Sequence, residues 1–397
     1  MEHNVVTKLG VFLDSKPHGG GTYQYSQAIL ESLSSIGNQS YKVIAKYTDN
    51  AWNEELKKYS SIESSRIANL TVGKYIGKIL RHMSMGMHTW RKVSAFIDPV
   101  AKHILSEKAA AWIFPAQDAW AYQIPVKSIV PIHDLMHRYE QRFPEIGSPG
   151  IYKRRESHYK WICQWGEGIL VDSEIGKQQV VESYNIPVEK VYILPFIAPR
   201  YIYRKQSNNK VCEKYNLPEK FLFYPAQFWA HKNHLNLIDA IAKLSSTIPE
   251  ICLILAGTKK NGYQAAFEKV QKLNIDKNVR FLGYVSEEDI VALYEKARAM
   301  IMATYCGPTN IPPLEAFVME CPVAVSRVYG MPEQVGDAAL LFDPNSVDEM
   351  AEVCHRLWDD DDLCHRLIIN GKKHISAWGP EQFTKRLKNI IKKVIDD

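Results

Sequence analysis

The 397-residue chain is short of the features that usually settle a protein's class. None of its seven cysteines (163, 212, 252, 306, 321, 354 and 364) forms a CxxC pair, which argues against a zinc site or a disulfide framework. A scattered, odd-numbered set of thiols fits a reducing compartment. No stretch reaches the roughly 18 apolar residues that a membrane span needs. The opening MEHNVVTKLGVFLD has no charged leader followed by an apolar run and a cleavage site. These absences predict a cytoplasmic protein with no helical anchor of its own.

Net charge is also scarce. Lys+Arg total 49 against 44 Asp+Glu, a balance of +5. Residues 1–197 hold 23 basic against 19 acidic side chains (+4), and the remainder 26 against 25 (+1). No basic stripe of the kind nucleic acid requires is present. The mild excess in the first half suits an anionic acceptor or a membrane surface. The glycine loop His18–Gly19–Gly20–Gly21 lets the backbone approach a ligand closely. Its spacing is not GxGxxG, and no acidic residue follows at the required distance, which disfavours a nicotinamide-dependent oxidoreductase. No carboxylates are paired at metal-ligand spacing, so neither a metal nor a cofactor is expected.

What is present is a rhythm. Hydrophobic residues make up 46% of the chain and charged ones 23%, the balance of a globular protein. Short apolar runs at 8–14, 41–47, 109–114, 127–133, 168–173 and 190–195 read as strands separated by helices. The first helix is capped at Thr22 and stopped by Gly37. After a proline-containing, weakly periodic stretch the rhythm restarts. Runs at 221–226, 251–257, 279–284, 299–304 and 322–326 alternate with helices at 234–245, 263–273, 287–297 and from Pro312. This predicts an α/β chain of two Rossmann-like, doubly wound domains with a cleft between them. The expected division is 1–197, a linker at 198–217, a second domain at 218–380, and a C-terminal helix at 381–397 that packs back on the first domain.

Four segments are candidates for chemistry. In TYCGPTNIPPLEAF (304–317) a strand ends, a Gly–Pro turn follows, and Pro312–Pro313 open a helix. Amides at such a start make an anion site, and Glu315 in the first turn either suits the helix dipole or faces sugar or ribose hydroxyls. In YPAQFWAHKNHLNLIDAI (224–241), Lys232 lies in a strand-to-helix loop where a lysine reaches a phosphate as a point charge. In VPIHDLMHRYEQRFPE (130–145), His133 and Asp134 end a strand. Neighbours on a strand point to opposite faces, so Asp134 is not expected to be a triad partner for His133. The fourth segment is the glycine loop.

Taken together and in this order, these segments resemble the retaining glycosyltransferases of GT-B fold, in particular glycosyltransferase family 4. The likeness covers nearly the whole chain. It is strongest from Tyr224 to Pro344, through LILAG, VRFLGYVSEEDIVALYEKA, PPLEAF and PEQVGDAALLFDP. The resemblance implies that Glu315 holds ribose hydroxyls, and that Lys232 neutralises the departing diphosphate. It implies that the loop Gly307–Pro308–Thr309–Asn310–Ile311 presents backbone amides to donor sugar and diphosphate. Tyr284 and Val285 would face the base, His133 the transferred sugar, and Gly20–Gly21 the donor phosphates and acceptor. Two positions depart from the family pattern. Gly307 stands where a first glutamate is usual, and Gln227 where an arginine usually partners the lysine. A changed sugar contact from Thr309 or Asn310 is the preferred reading, and loss of activity its rival.

The implied activity is metal-independent, retaining transfer of a hexose or deoxyhexose from a nucleotide sugar. The acceptor would be a glycan or lipid-linked glycan of bacterial surface polysaccharide, such as lipopolysaccharide or capsule. Basic residues among apolar ones in KYIGKILRHMSMGMHTWRK (74–92), with YKRR (152–155), point to peripheral contact with the inner membrane face. A nucleotide-sugar-binding protein without turnover, a GT-B epimerase and a sugar phosphorylase are the alternatives.

Overall fold

The computed structural model describes residues 6–16, 20–37, 41–67, 86–204, 207–208 and 210–396. The basic segment proposed for the membrane therefore lies largely outside the described residues. The chain divides into two compact units. One comprises Met1–His133, Lys153–Pro195 and Pro380–Asp397; the other comprises Asp134–Tyr152 and Phe196–Gly379.

The N-terminal unit is built on seven parallel strands: β1 (Lys8–Leu13), β2 (Lys42–Tyr47), β3 (Ile62–Arg66), β4 (Ala111–Ile113), β5 (Ser128–Pro131), β6 (Gly168–Val171) and β7 (Val191–Ile193). Their order is β3-β2-β1-β4-β5-β6-β7. Strands buried on both faces need continuous apolar runs, and Leu9, Val11, Phe12 and Leu13 of β1 are fully enclosed. The edge strand β3 is mostly polar and exposed, which is why it has no apolar signature in the sequence.

The helix Gly21–Gly37 buries Tyr25, Ile29, Leu30, Leu33 and Ile36 on one stripe. It begins at Gly21, so Thr22 lies inside it rather than capping it. The last helix, Pro380–Asp396, packs against it through buried Phe383, Leu387, Ile390, Ile391 and Val394. Thr384 Oγ1 donates to Ser32 Oγ at 2.9 Å, and the Phe383 ring meets Tyr25 edge-on at 6.4 Å. Each large apolar side chain so enclosed contributes about 1.5–3 kcal/mol.

The C-terminal unit holds six parallel strands: β8 (Leu222–Pro225), β9 (Leu253–Ala256), β10 (Val279–Gly283), β11 (Ala299–Met302), β12 (Val323–Ser326) and β13 (Ala339–Phe342). Their order is β10-β9-β8-β11-β12-β13. Helices on both faces, among them His234–Ser245 and Val347–Asp359, seal a core around Phe223, Leu255, Ile301 and Val325. In both sheets the winding reverses direction once, between β1 and β4 and between β8 and β11. Ligands of open α/β sheets bind beyond the carboxyl ends of strands at such a switch point.

Two boundaries differ from the expected ones. Asp134–Tyr152 belongs to the C-terminal unit although it precedes β6 in the chain. The expected linker also holds two short helices, Arg200–Arg204 and Val211–Tyr215. Both abut the C-terminal unit's buried core through Ile202 and Val211.

Candidate functional site

The loops that follow β8 and β11 flank the switch point of the C-terminal sheet. After β8 the chain makes a single tight turn, Ala230–Lys232, and Asn233 in the left-handed region (φ +57°) leads into the helix His234–Ser245. Tyr224 O–H donates to the Lys232 carbonyl at 2.9 Å, and Asn233 Nδ2 donates to the Pro344 carbonyl at 2.8 Å. With its backbone held on both sides, Lys232 directs Nζ at Asn310 Oδ1, 3.2 Å away. Burial lowers the Lys232 pKa to about 8, against the smaller upward pull of Cys306 and Asp134. Its hydrogen-bond partner is neutral, so the ammonium is poised for an anion.

The loop after β11 is locked by its own polar groups. Thr304 Oγ1 donates to the Cys306 carbonyl and accepts the Cys306 N–H. Gly307 has φ +106°, and a Cβ there would lie 2.7 Å from Asn310 Nδ2. A glutamate at 307 would hold this backbone in a region that favours glycine, so it would be strained there. Pro308 and Thr309 are buried. Gln334 clamps Asn310 in both directions: the Asn310 N–H donates to Gln334 Oε1 at 2.9 Å, and Gln334 Nε2 donates to the Asn310 carbonyl at 2.7 Å.

The helix that follows, Pro312–Val318, corrects one expectation. Pro312 and Pro313 have no N–H to offer. Leu314 and Glu315 donate theirs to the Ile311 carbonyl at 2.9 and 3.3 Å. The helix start itself presents no amide to an anion. Among the described residues, the amides of this segment without a protein acceptor are those of Gly307 and Ile311, one residue or more before the helix.

Glu315 is buried, with both oxygens engaged. Tyr201 O–H donates to Oε1 at 2.5 Å and Tyr294 O–H to Oε2 at 2.7 Å. Burial raises its pKa, and the two tyrosine hydroxyls oppose that rise. Each oxygen retains a second lone-pair direction.

Residues 206–374 of this chain match the family model for glycosyl transferases group 1, which covers less than half of the chain. Among curated proteins, the O-antigen chain mannosyltransferase B of Escherichia coli is 28% identical over 266 residues, covering 62% of this chain and 70% of that protein. The serotype-specific mannosyltransferase WbdA of Escherichia coli is 23% identical over 259 residues, and the match spans only 30% of its length. Among solved structures, a glycosyltransferase from Rickettsia africae superposes with a TM-score of 0.72 at 16% identity, over 98% of this chain and 99% of that one. Anabaena HepE, in complex with UDP and glucose, gives 0.72 at 14% identity over 98% and 100%.

The chain is a glycosyltransferase.

Its fold is GT-B, as the two parallel sheets and their structural neighbours show. The remaining expected residues of this glycosyltransferase occupy two places. In the C-terminal unit, Gln227 follows β8, but its Oε1 accepts Trp229 Nε1 at 2.9 Å rather than meeting Lys232. The Lys232 ammonium donates to Asn310 Oδ1 instead. Tyr284 and Val285 follow β10, Tyr284 largely exposed and Val285 buried. In the N-terminal unit, Gly20 and Gly21 are exposed after β1, and a Cβ on Gly20 would meet nothing within 4 Å. His133 follows β5 and meets the Tyr25 ring edge-on at 4.9 Å. Asp134 Oδ1 accepts the Met136 N–H at 2.9 Å, a local turn contact.

Sequence reasoning missed Tyr201, Tyr294 and Gln334, whose roles depend on partners 21–114 residues away. Among the described residues, no group of three His, Cys, Asp or Glu side chains is placed to hold a metal ion. No helix among them is long and apolar enough to cross a membrane.

Proposed function

We propose that this glycosyltransferase moves a hexose, with mannose the first candidate, from a nucleoside diphosphate sugar to a glycan or lipid-linked acceptor of bacterial surface polysaccharide. The transfer proposed is retaining and metal-independent, at the cytoplasmic side of the membrane with peripheral contact. The observation that carries the reading is Lys232, half-buried, backbone-locked and hydrogen-bonded through Nζ to a neutral amide oxygen at the switch point of the C-terminal sheet.

The hard step is departure of the nucleoside diphosphate from the anomeric carbon, as negative charge gathers on the leaving oxygen. Lys232, on leaving Asn310, and the Gly307 and Ile311 amides are assigned to stabilise that charge as it forms. The lysine supplies the cationic charge that a metal supplies elsewhere. Glu315 offers its remaining lone pairs to ribose hydroxyls, held in place by Tyr201 and Tyr294. Tyr284 and Val285, which follow β10, are assigned to the base. In the N-terminal unit, Gly20, Gly21 and His133, all beyond carboxyl ends of strands, are assigned to the acceptor and the transferred sugar.

Support for the sugar and pathway is comparative. Several of the relatives matched are described as O-antigen or serotype-specific mannosyltransferases, and others as D-inositol 3-phosphate glycosyltransferases. One structural neighbour, WaaG, is described as a glycosyltransferase involved in lipopolysaccharide biosynthesis. The test is nucleoside diphosphate release from a panel of nucleotide sugars with oligosaccharide and lipid-linked acceptors. Turnover is expected with a mannosyl donor, undiminished by chelator, giving a product of unchanged anomeric configuration. Lys232→Ala is expected to lower kcat by about 100- to 1000-fold while the melting temperature barely moves. Near-normal turnover by that variant contradicts the phosphate assignment.

A further inference from the structure

The turn that carries Lys232 is gripped by a carboxylate from Asp134–Tyr152, the segment that sits in the C-terminal unit out of chain order. Glu145 Oε1 accepts the His231 backbone N–H at 3.0 Å and the His231 Nδ1–H at 2.8 Å. Its Oε2 accepts Asn261 Nδ2 at 2.7 Å, and Asn261 Oδ1 in turn accepts the Ala230 N–H at 3.1 Å. Two consecutive amides, those immediately before Lys232, are therefore fixed by one half-buried carboxylate and the amide side chain attached to it. The His231 carbonyl is held as well, by the Tyr305 N–H at 2.8 Å.

The rest of the segment docks on the neighbouring loop. Phe143 stacks on Tyr305 at 5.4 Å, the Arg142 guanidinium lies 4.2 Å over the same ring, and Tyr329 O–H donates to Glu140 at 2.7 Å. Burial depresses the His231 pKa to about 4, so the ring is neutral and its Nδ1–H is directed to Glu145. Burial alone would raise the Glu145 carboxyl, but the donors from His231 and Asn261 hold it below the usual range.

We infer that Glu145 is a positioning residue for Lys232. Its carboxylate sets the Ala230–Lys232 turn so that the amine of the next residue meets the diphosphate already oriented. The inference rests on the reading that Lys232 contacts that diphosphate. A group that acts only through another gives a non-additive double mutant, whereas a general contribution to folding adds independently.

The experiment is a double-mutant cycle on the full chain, read by titration calorimetry with a nucleoside diphosphate and with the corresponding nucleoside. Glu145→Ala is expected to weaken diphosphate binding about 10-fold and to leave the nucleoside unaffected. Lys232→Ala is expected to weaken the diphosphate about 100-fold, and the double variant to match it within about 2-fold. Glu145→Gln keeps an acceptor for His231 but turns a donor toward Asn261. It is expected to lose about 3-fold, and it supplies the reading if the alanine variant does not fold. Losses that multiply in the double variant overturn the positioning role, as does equal weakening of nucleoside and diphosphate. If Lys232→Ala leaves diphosphate affinity unchanged, the assignment of Lys232 itself fails, and this inference with it.

Discussion

Lys232 carries the account at the scale of single residues, and its titration gives a direct test. Unliganded, its pKa is near 8, lowered by burial. Below that pH the amine is charged and able to meet a diphosphate; above it the charge is lost. We expect kcat/KM for the donor to be flat on the acid side and to fall about tenfold per pH unit above pH 8. Lys232→Arg, whose guanidinium stays charged, is expected to remove that limb from the pH–rate profile even if it lowers the plateau. A limb that persists at the same pH in the arginine variant assigns it to another group. The same shift bears on stability with the opposite slope. The unfolded lysine binds a proton that the folded one releases between about 8 and 10.5, so this residue favours folding as pH rises through that window.

Residue by residue, the placement of Lys232, Glu315 and the Gly307–Ile311 loop between strand ends and helix starts was legible, because these are local signals. Their partners were not. Nothing local to Tyr201 or Gln334 shows that one meets Glu315 from 114 positions away and the other clamps Asn310 from 24.

Among elements, the turn and helix after β8 form the most sharply specified piece. His234 opens that helix, stacked on Phe228 at 4.3 Å and Tyr224 at 5.0 Å. Burial depresses its pKa to about 3, with Lys232 and His231 adding to the effect. An unfolded histidine takes up a proton near pH 6.5, so the chain loses stability as pH falls from about 6.5 toward 3. His234→Phe keeps the stacked ring and removes the titration. Its acid-unfolding transition, followed by circular dichroism, is expected to be less steep and to move to lower pH. An unchanged acid transition would show that this ring does not set it.

Eleven of the thirteen strands were readable from apolar runs. Those missed are the edge strands β3 and β13. The first is polar and mostly exposed; the second is an apolar ALLF run whose two central residues are half-exposed. The short helices of the Asp134–Tyr152 segment went unread for a similar reason. At four residues each, Met136–Tyr139 and Pro144–Gly147 are too brief to show a period.

For the molecule as a whole, the repeated strand–helix rhythm announced two doubly wound sheets, and the switch points follow from their order. Which segments cross between units is a matter of tertiary contacts that local pattern does not encode. Asp134–Tyr152 joins the C-terminal unit, and the final helix joins the N-terminal one. Phe383 anchors that helix and is fully buried. Phe383→Ala is expected to cost about 3–5 kcal/mol. Hydrogen exchange should then show lost protection in β1 and β4, with β8 and β11 retaining theirs. Uniform loss across both sheets would contradict that assignment of the helix.

The central claim concerns where the donor's phosphates rest, and a crystal structure of the protein with a nucleoside diphosphate bound tests it most directly. The account expects the diphosphate within hydrogen-bond distance of Lys232 Nζ and of the Gly307 and Ile311 amides, with Asn310 releasing the lysine. A diphosphate resting elsewhere, with Lys232 still on Asn310 and those amides untouched, contradicts it.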